Sequence, residues 1–245
     1  TVKLANGQSV TNLVLPIKLS KGHLVMNDAS LEMMGGKITG DIDANAASKA
    51  VAIKGDVKGL SAETLAKAYK VTDLITNGPI DVNVDVHGSG NSPKASVGTL
   101  DGSVLATMGE SKIRTDAIGP VAAQIVSAIN PMGNKDPYTV ARCAVTNFQL
   151  ANGVANTQNG VAMVTDKMSF TASGKIDFAQ ERVDMIVKPD ANSLIGSGIT
   201  KVVSQVKVTG PMMSPNIGID AASAVKGVAG LATGLAGGAA NTGGD

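Results

Sequence analysis

Aromatic side chains supply only 2% of this 245-residue chain and tryptophan is absent, so burial has to come from Val, Ile, Leu, Met and Ala. That favours sheets over aromatic-lined pockets. The single cysteine, Cys143, excludes an internal disulfide and fits either an oxidising or a reducing compartment. Only two histidines exist, His23 and His87, which nearly closes off histidine-dependent triads and multi-histidine metal sites. Charge of one sign is also lacking. The 21 basic and 20 acidic residues are dispersed without a like-charge block, so nucleic acid is set aside as a partner. No run of about 20 strongly apolar residues is present to span a bilayer, and no charged start leads into an apolar core as in a signal peptide. With Thr1 first, the chain reads as a fragment or processed form from which any targeting or anchoring segment has been removed.

Catalytic motifs are missing too. There is no G-x-S-x-G elbow, no phosphate loop and no dinucleotide fingerprint placed between strand and helix. Gly88-Ser89-Gly90 and Gly196-Ser197-Gly198 read as turn material. Asp81, Asp85 and His87 share the polar side of one strand candidate, but residues four and two apart there lie about 13 and about 7 Å away, too far for one ion without other ligands. Cys143 sits in an alternating β segment with no nearby histidine and is expected to be a buried thiol. No enzymatic activity, metal or cofactor is expected.

What the chain does contain is a series of β units. Between Asn12 and Leu60, short β-branched and apolar segments are separated by Ser20-Lys21-Gly22, Gly35-Gly36 and Asn45-Ala46-Ala47, the spacing of hairpins. Gly35-Gly36 can supply the positive φ of a tight turn, folding Leu31 and Met33 back against Ile38 and Ile42. The clearest strand is 79–87, where Ile80, Val82, Val84 and Val86 alternate with Asp81, Asn83, Asp85 and His87. Such a strand has one aliphatic and one wet face, as in an antiparallel sheet. A weaker stripe at 182–188 carries Val183, Met185 and Val187. A second series covers 139–188, with turn signals at Asn152-Gly153, Ser173-Gly174 and 179–181 dividing four strands. A last strand is expected at 201–209, followed by a loop over 210–216.

Helical interruptions are short. Ser61 can cap a helix through Ala68, Pro93 suits the first position of a brief turn, and 116–129 has helical apolar spacing. From Ala221 the chain becomes an Ala/Gly-rich helix or tail, with Gly230, Gly234 and Gly238 at intervals of four. The expected fold class is mainly β with a few short helices (α+β), antiparallel. One β-rich domain over 1–220, with β series at about 11–115 and 138–220 in one continuous sheet, precedes the tail over 221–245.

The order of these pieces resembles the C-terminal region of AsmA family proteins from about Asn12 to Leu235. The likeness is carried by Gly22-His23-Leu24-Val25 through Gly40-Asp41, then by 78–90 with Leu100-Asp101-Gly102-Ser103-Val104. It continues in Cys143 to Gly153, Ser173-Gly174-Lys175-Ile176-Asp177-Phe178 and 181–185, and ends in Val208-Thr209-Gly210-Pro211 through Asn216. The resemblance implies an inner-membrane protein with an N-terminal membrane helix absent from this chain. It further implies an elongated periplasmic sheet curled into a groove, helices packed near its ends, and a role in outer-membrane assembly with phospholipid and envelope assembly proteins as partners. Ile80, Val82, Val84, Val86, Val183, Met185 and Val187 are then the candidate lipid-facing residues, and the ten methionines would suit an adaptable apolar surface. The same pattern is what an ordinary core packed against helices 61–68 and 116–129 requires. A structural β-solenoid or adhesin-like domain is the alternative, although the units vary in length.

Overall fold

The computed structural model describes residues 1–4, 7–70, 74–114, 138–166, 169–189 and 205–219. Strand accounts for 71% of them and helix for 7%, which makes the sheet itself the architecture. The N-terminal strands are β1 (Val2–Lys3), β2 (Ser9–Val14), β3 (Ile17–Ser20), β4 (His23–Met33), β5 (Gly36–Asn45) and β6 (Ala50–Ser61). Helix α1 (Ala62–Ala68) leads to β7 (Ile75–Asn77) and β8 (Pro79–Ser89), and α2 (Pro93–Val97) leads to β9 (Asp101–Met108) and β10 (Ser111–Arg114). The second series is β11 (Tyr138–Ala151), β12 (Val154–Thr165), β13 (Ser169–Asp177), β14 (Arg182–Pro189), β15 (Val206–Pro211) and β16 (Asn216–Ile219).

Among the described residues all sixteen strands join one open sheet, thirteen of them in the order β1-β2-β4-β5-β6-β8-β9-β11-β12-β13-β14-β15-β16. β3 lies beside β4, while β7 and β10 pair with one another along the start of β11. Every pairing between described strands is antiparallel, as hairpin connections dictate. Among the described residues the meander is interrupted by α1 and β7 between β6 and β8, by α2 between β8 and β9, and by β10 after β9.

Local chemistry explains the elements. Strand alternation at 79–87 produces β8, and the stripe at 182–188 produces β14. Asn152 (φ 49°) and Gly153 (φ 72°) make the β11–β12 turn with both residues left-handed, the geometry of a two-residue hairpin. Pro93 opens α2, whose cap is Ser92. Ser61 caps α1 by accepting a hydrogen bond from the Thr64 N–H at 3.1 Å. Ser61→Ala is therefore expected to cost about 1 kcal/mol in urea unfolding, with helix content otherwise retained.

Several expectations need correction. The β4–β5 turn uses Met34 (φ 50°) and Gly35 (φ 78°), not Gly35-Gly36, because Gly36 already pairs with Met33 inside β5. Ser173-Gly174 is no turn but the middle of β13; the second strand of that series, β12, ends at Thr165 and the third, β13, begins at Ser169. The strand expected at 201–209 begins at Val206 among the described residues and runs on through Pro211, which shortens the 210–216 loop. The helix at 116–129 and the tail from Ala221 lie outside the described residues. No helix among the described residues is long and apolar enough to cross a membrane.

Candidate functional site

Because side chains alternate across a strand, register decides which residues share a face. From Leu31 on β4 a single cross-strand row runs through Ile38, Val57, Val82 and Ala106. It continues through Thr146, Val161, Ala172 and Val187 to Val206 on β15. A second row on the same face joins Met26, Ile42, Ile53, Val86 and Gly102. That row then passes through Leu150, Ala155, Ile176 and Val183 to Gly210. Neither row contains a charged residue, and each crosses ten strands.

The candidate residues fall within this frame. Val82 and Val187 share one row, and Val86 and Val183 share the other. Ile80 lies between Leu60 and Met108, Val84 between Gly55 and Val104, and Met185 between Gly174 and Val208. Two stripes that are far apart in sequence thus form one surface. The positions that joined them, such as Ala106, Thr146 and Ala172, went unread because small residues and threonine carry little hydrophobic signal alone.

Burial along this face is uneven. In the second half Ala172, Met185, Val187, Val206 and Val208 form a buried cluster with Phe148, Phe170 and Ile217 against it. On β4 to β8 the same face is only half-buried at Leu31, Ile38, Val57, Ile80, Val82 and Val84, and Ile53 is 39% exposed. The edge strand β3 leaves Ile17 and Leu19 exposed beside Met26 and Leu24. An extended half-open apolar surface of this kind is a feature of binding sites rather than of closed cores.

The opposite face is polar and internally paired. Lys54 meets Asp85 at 3.2 Å and Lys58 meets Asp81 at 3.4 Å, while the Asn83 amide donates to Asp56 at 3.0 Å. His23 and Asp43 are 2.9 Å apart. These exposed pairs keep the two faces distinct more than they add stability. Among the described residues no three His, Cys, Asp or Glu side chains converge as a metal set. Cys143, expected to be buried, is exposed. It stands opposite Val164, just past a register shift from Ala141, and alternation turns it to the face away from Ala144 and Thr146.

Asp81 also pins the β6 bulge between Val57 and Leu60 by accepting the Gly59 N–H at 2.8 Å. That backbone bond, helped by Lys58, holds its carboxyl below the ordinary value of 3.8. A depressed folded value means the stabilisation is complete above the ordinary value and disappears as pH falls through the lowered one. The gap in urea midpoint between the native chain and Asp81→Ala should thus be widest near neutrality and close in strong acid. A gap that grows on acidification would contradict this sign.

A family model described as the AsmA family matches residues 2–159. The chain is also similar to the AsmA family protein YhjG of Escherichia coli (strain K12), 26% identical over 220 residues. The match takes in 84% of this chain and 31% of that relative, so the chain spans about a third of its length. No solved structure matches.

Proposed function

Given that the chain belongs to the AsmA family, we propose that it is a cell-envelope protein whose uncharged sheet face holds phospholipid acyl chains. Family membership supports a role in the envelope or in outer-membrane assembly. In this reading the sheet lies in the periplasm, attached to the inner membrane through a segment outside this chain, and works with envelope assembly proteins. It assigns the chain no catalytic step.

The observation that carries the lipid reading is the pair of uncharged rows crossing ten strands, half-open over β4 to β8. Each methylene taken from water onto such a surface is worth about 0.8 kcal/mol, so an acyl chain is a favourable occupant while a headgroup is not. Curling of the sheet into a groove would raise the area each chain buries. Gly102 and Gly174 favour that curl, since in-strand glycines mark sharp bends in a sheet. The structural alternative rests on the self-packed cluster of β13 to β15, but a solenoid of fixed repeats is disfavoured by strands of 2 to 14 residues in an antiparallel meander.

Organic extraction and native mass spectrometry of the purified chain should find bound phospholipid, and photo-crosslinkers at Val82 and Val84 should label lipid in cells. Absence of both would defeat the lipid reading. Loss of outer-membrane integrity in a deletion strain would support the envelope role independently.

A further inference from the structure

We infer that α2 with Leu100 and Phe178 is a fixed end wall that sets how long an acyl chain the uncharged face can take; this rests on the lipid-binding reading above. Strands β8, β9, β11, β12, β13 and β14 all end at one edge of the sheet, at Ser89, Asp101, Ala151, Val154, Asp177 and Arg182. At that edge α2 folds over the face rather than beside it. Gly88 has the same parity as Val86, and a Cβ built there would point at the Ser96 carbonyl (2.9 Å), Thr99 Oγ1 (3.1 Å) and Leu100 Cδ2 (3.2 Å). Leu100 and Phe178 pack on the buried Val86, Leu150 and Ala155, which are neighbours along the second uncharged row.

The wall is held on three sides. The Ser89 N–H donates to Thr99 Oγ1 at 2.9 Å, and that hydroxyl donates back to the Ser89 carbonyl at 2.7 Å. The Gly153 N–H of the β11–β12 turn donates to the Leu100 carbonyl at 2.9 Å, and the Phe178 N–H donates to the Gly153 carbonyl at 3.0 Å. Gly153 is so close to Gly98 that an added Cβ would lie 2.8 Å from its Cα. Lys94 then pairs with Glu181 in the β13–β14 turn. Backbone packed this closely has no intermediate position to swing through, so the segment is a stop and not a lid.

A chain lying along β8 from Ile80 to Val84 has about 13 Å of track before it meets Leu100 over the buried Val86, at roughly 3.3 Å per residue. Methylenes that would have to lie beyond the wall gain nothing. The test is a titration of the purified chain with lysophospholipids of increasing acyl length, each kept below its micelle threshold. Affinity should climb about fourfold per methylene and then level off. Leu100→Ala should move the plateau to longer chains and Leu100→Phe to shorter ones, opposite shifts that a general loss of folding cannot produce. In a Cys143→Ser background, a disulfide between Lys94→Cys and Glu181→Cys should leave the profile unchanged.

A profile that climbs without a plateau, a plateau indifferent to residue 100, or binding lost on locking would overturn the end wall. Binding at no chain length would overturn the lipid reading itself.

Discussion

Val84→Glu is expected to strip the purified chain of phospholipid, lowering the lipid recovered per mole of protein by about tenfold or more. Val84 lies mid-face between Gly55 and Val104, so the new carboxylate would stand among uncharged cross-strand neighbours. An acyl chain laid over it would have to desolvate that charge. Thr107→Lys is the matching control. Thr107 is opposite Asp81 and Val145 on the polar face, and its ammonium would stay in water beside a carboxylate. Lipid recovery in Thr107→Lys should equal that of the native chain. Equal losses in both variants would mean that the uncharged face is not the binding surface. Val84→Thr, close in shape, guards against misreading an unfolded variant and should keep most of the bound lipid.

The second large effect concerns the backbone. Gly102→Ala and Gly174→Ala should each destabilise the fold by about 3 kcal/mol or more in urea, at unchanged slope. Both glycines are in mid-sheet at φ values of 129° and 142°, a region side chains rarely enter. A Cβ on Gly102 would run into the Asp85 carbonyl and come within 2.9 Å of the Val86 Cα. On Gly174 it would meet the Asp184 carbonyl and lie 2.8 Å from the Met185 Cα. Gly218 on β16 supplies the contrast, since a Cβ there meets nothing within 4 Å. Gly218→Ala should change stability by less than about 0.5 kcal/mol. If all three variants behaved alike, the two glycines would not be sites of close strand approach.

These glycines also show why parts of the fold were illegible in the sequence. Ser173-Gly174 has the composition of a turn, yet what demands glycine is the carbonyl of Asp184 on the next strand. At Gly35-Gly36 the two residues are chemically identical and do different jobs. Gly35 takes the left-handed turn, and Gly36 lets β5 pass the Leu60 backbone, where a Cβ would lie 2.7 Å from the Leu60 Cα. The alternating segment around Cys143 does not by itself say which face is covered, and alternation with Ala144 and Thr146 puts Cys143 on the polar face. Ser61, Pro93 and Asn152-Gly153 were readable because caps and tight turns act within a few residues.

By itself the sequence determined where the period-two strands are and which side of each is aliphatic, since alternation is a property of one segment and needs no neighbour. It could show Val82 and Val187 only as members of two separate stripes. The tertiary structure alone decided that they lie in one row, because the row exists through the pairings of every strand between β8 and β14, and each pairing is set by bulges and close approaches across strands. The half-open state of the face over β4 to β8, beside its buried continuation over β13 to β15, is likewise a result of how the strands assemble.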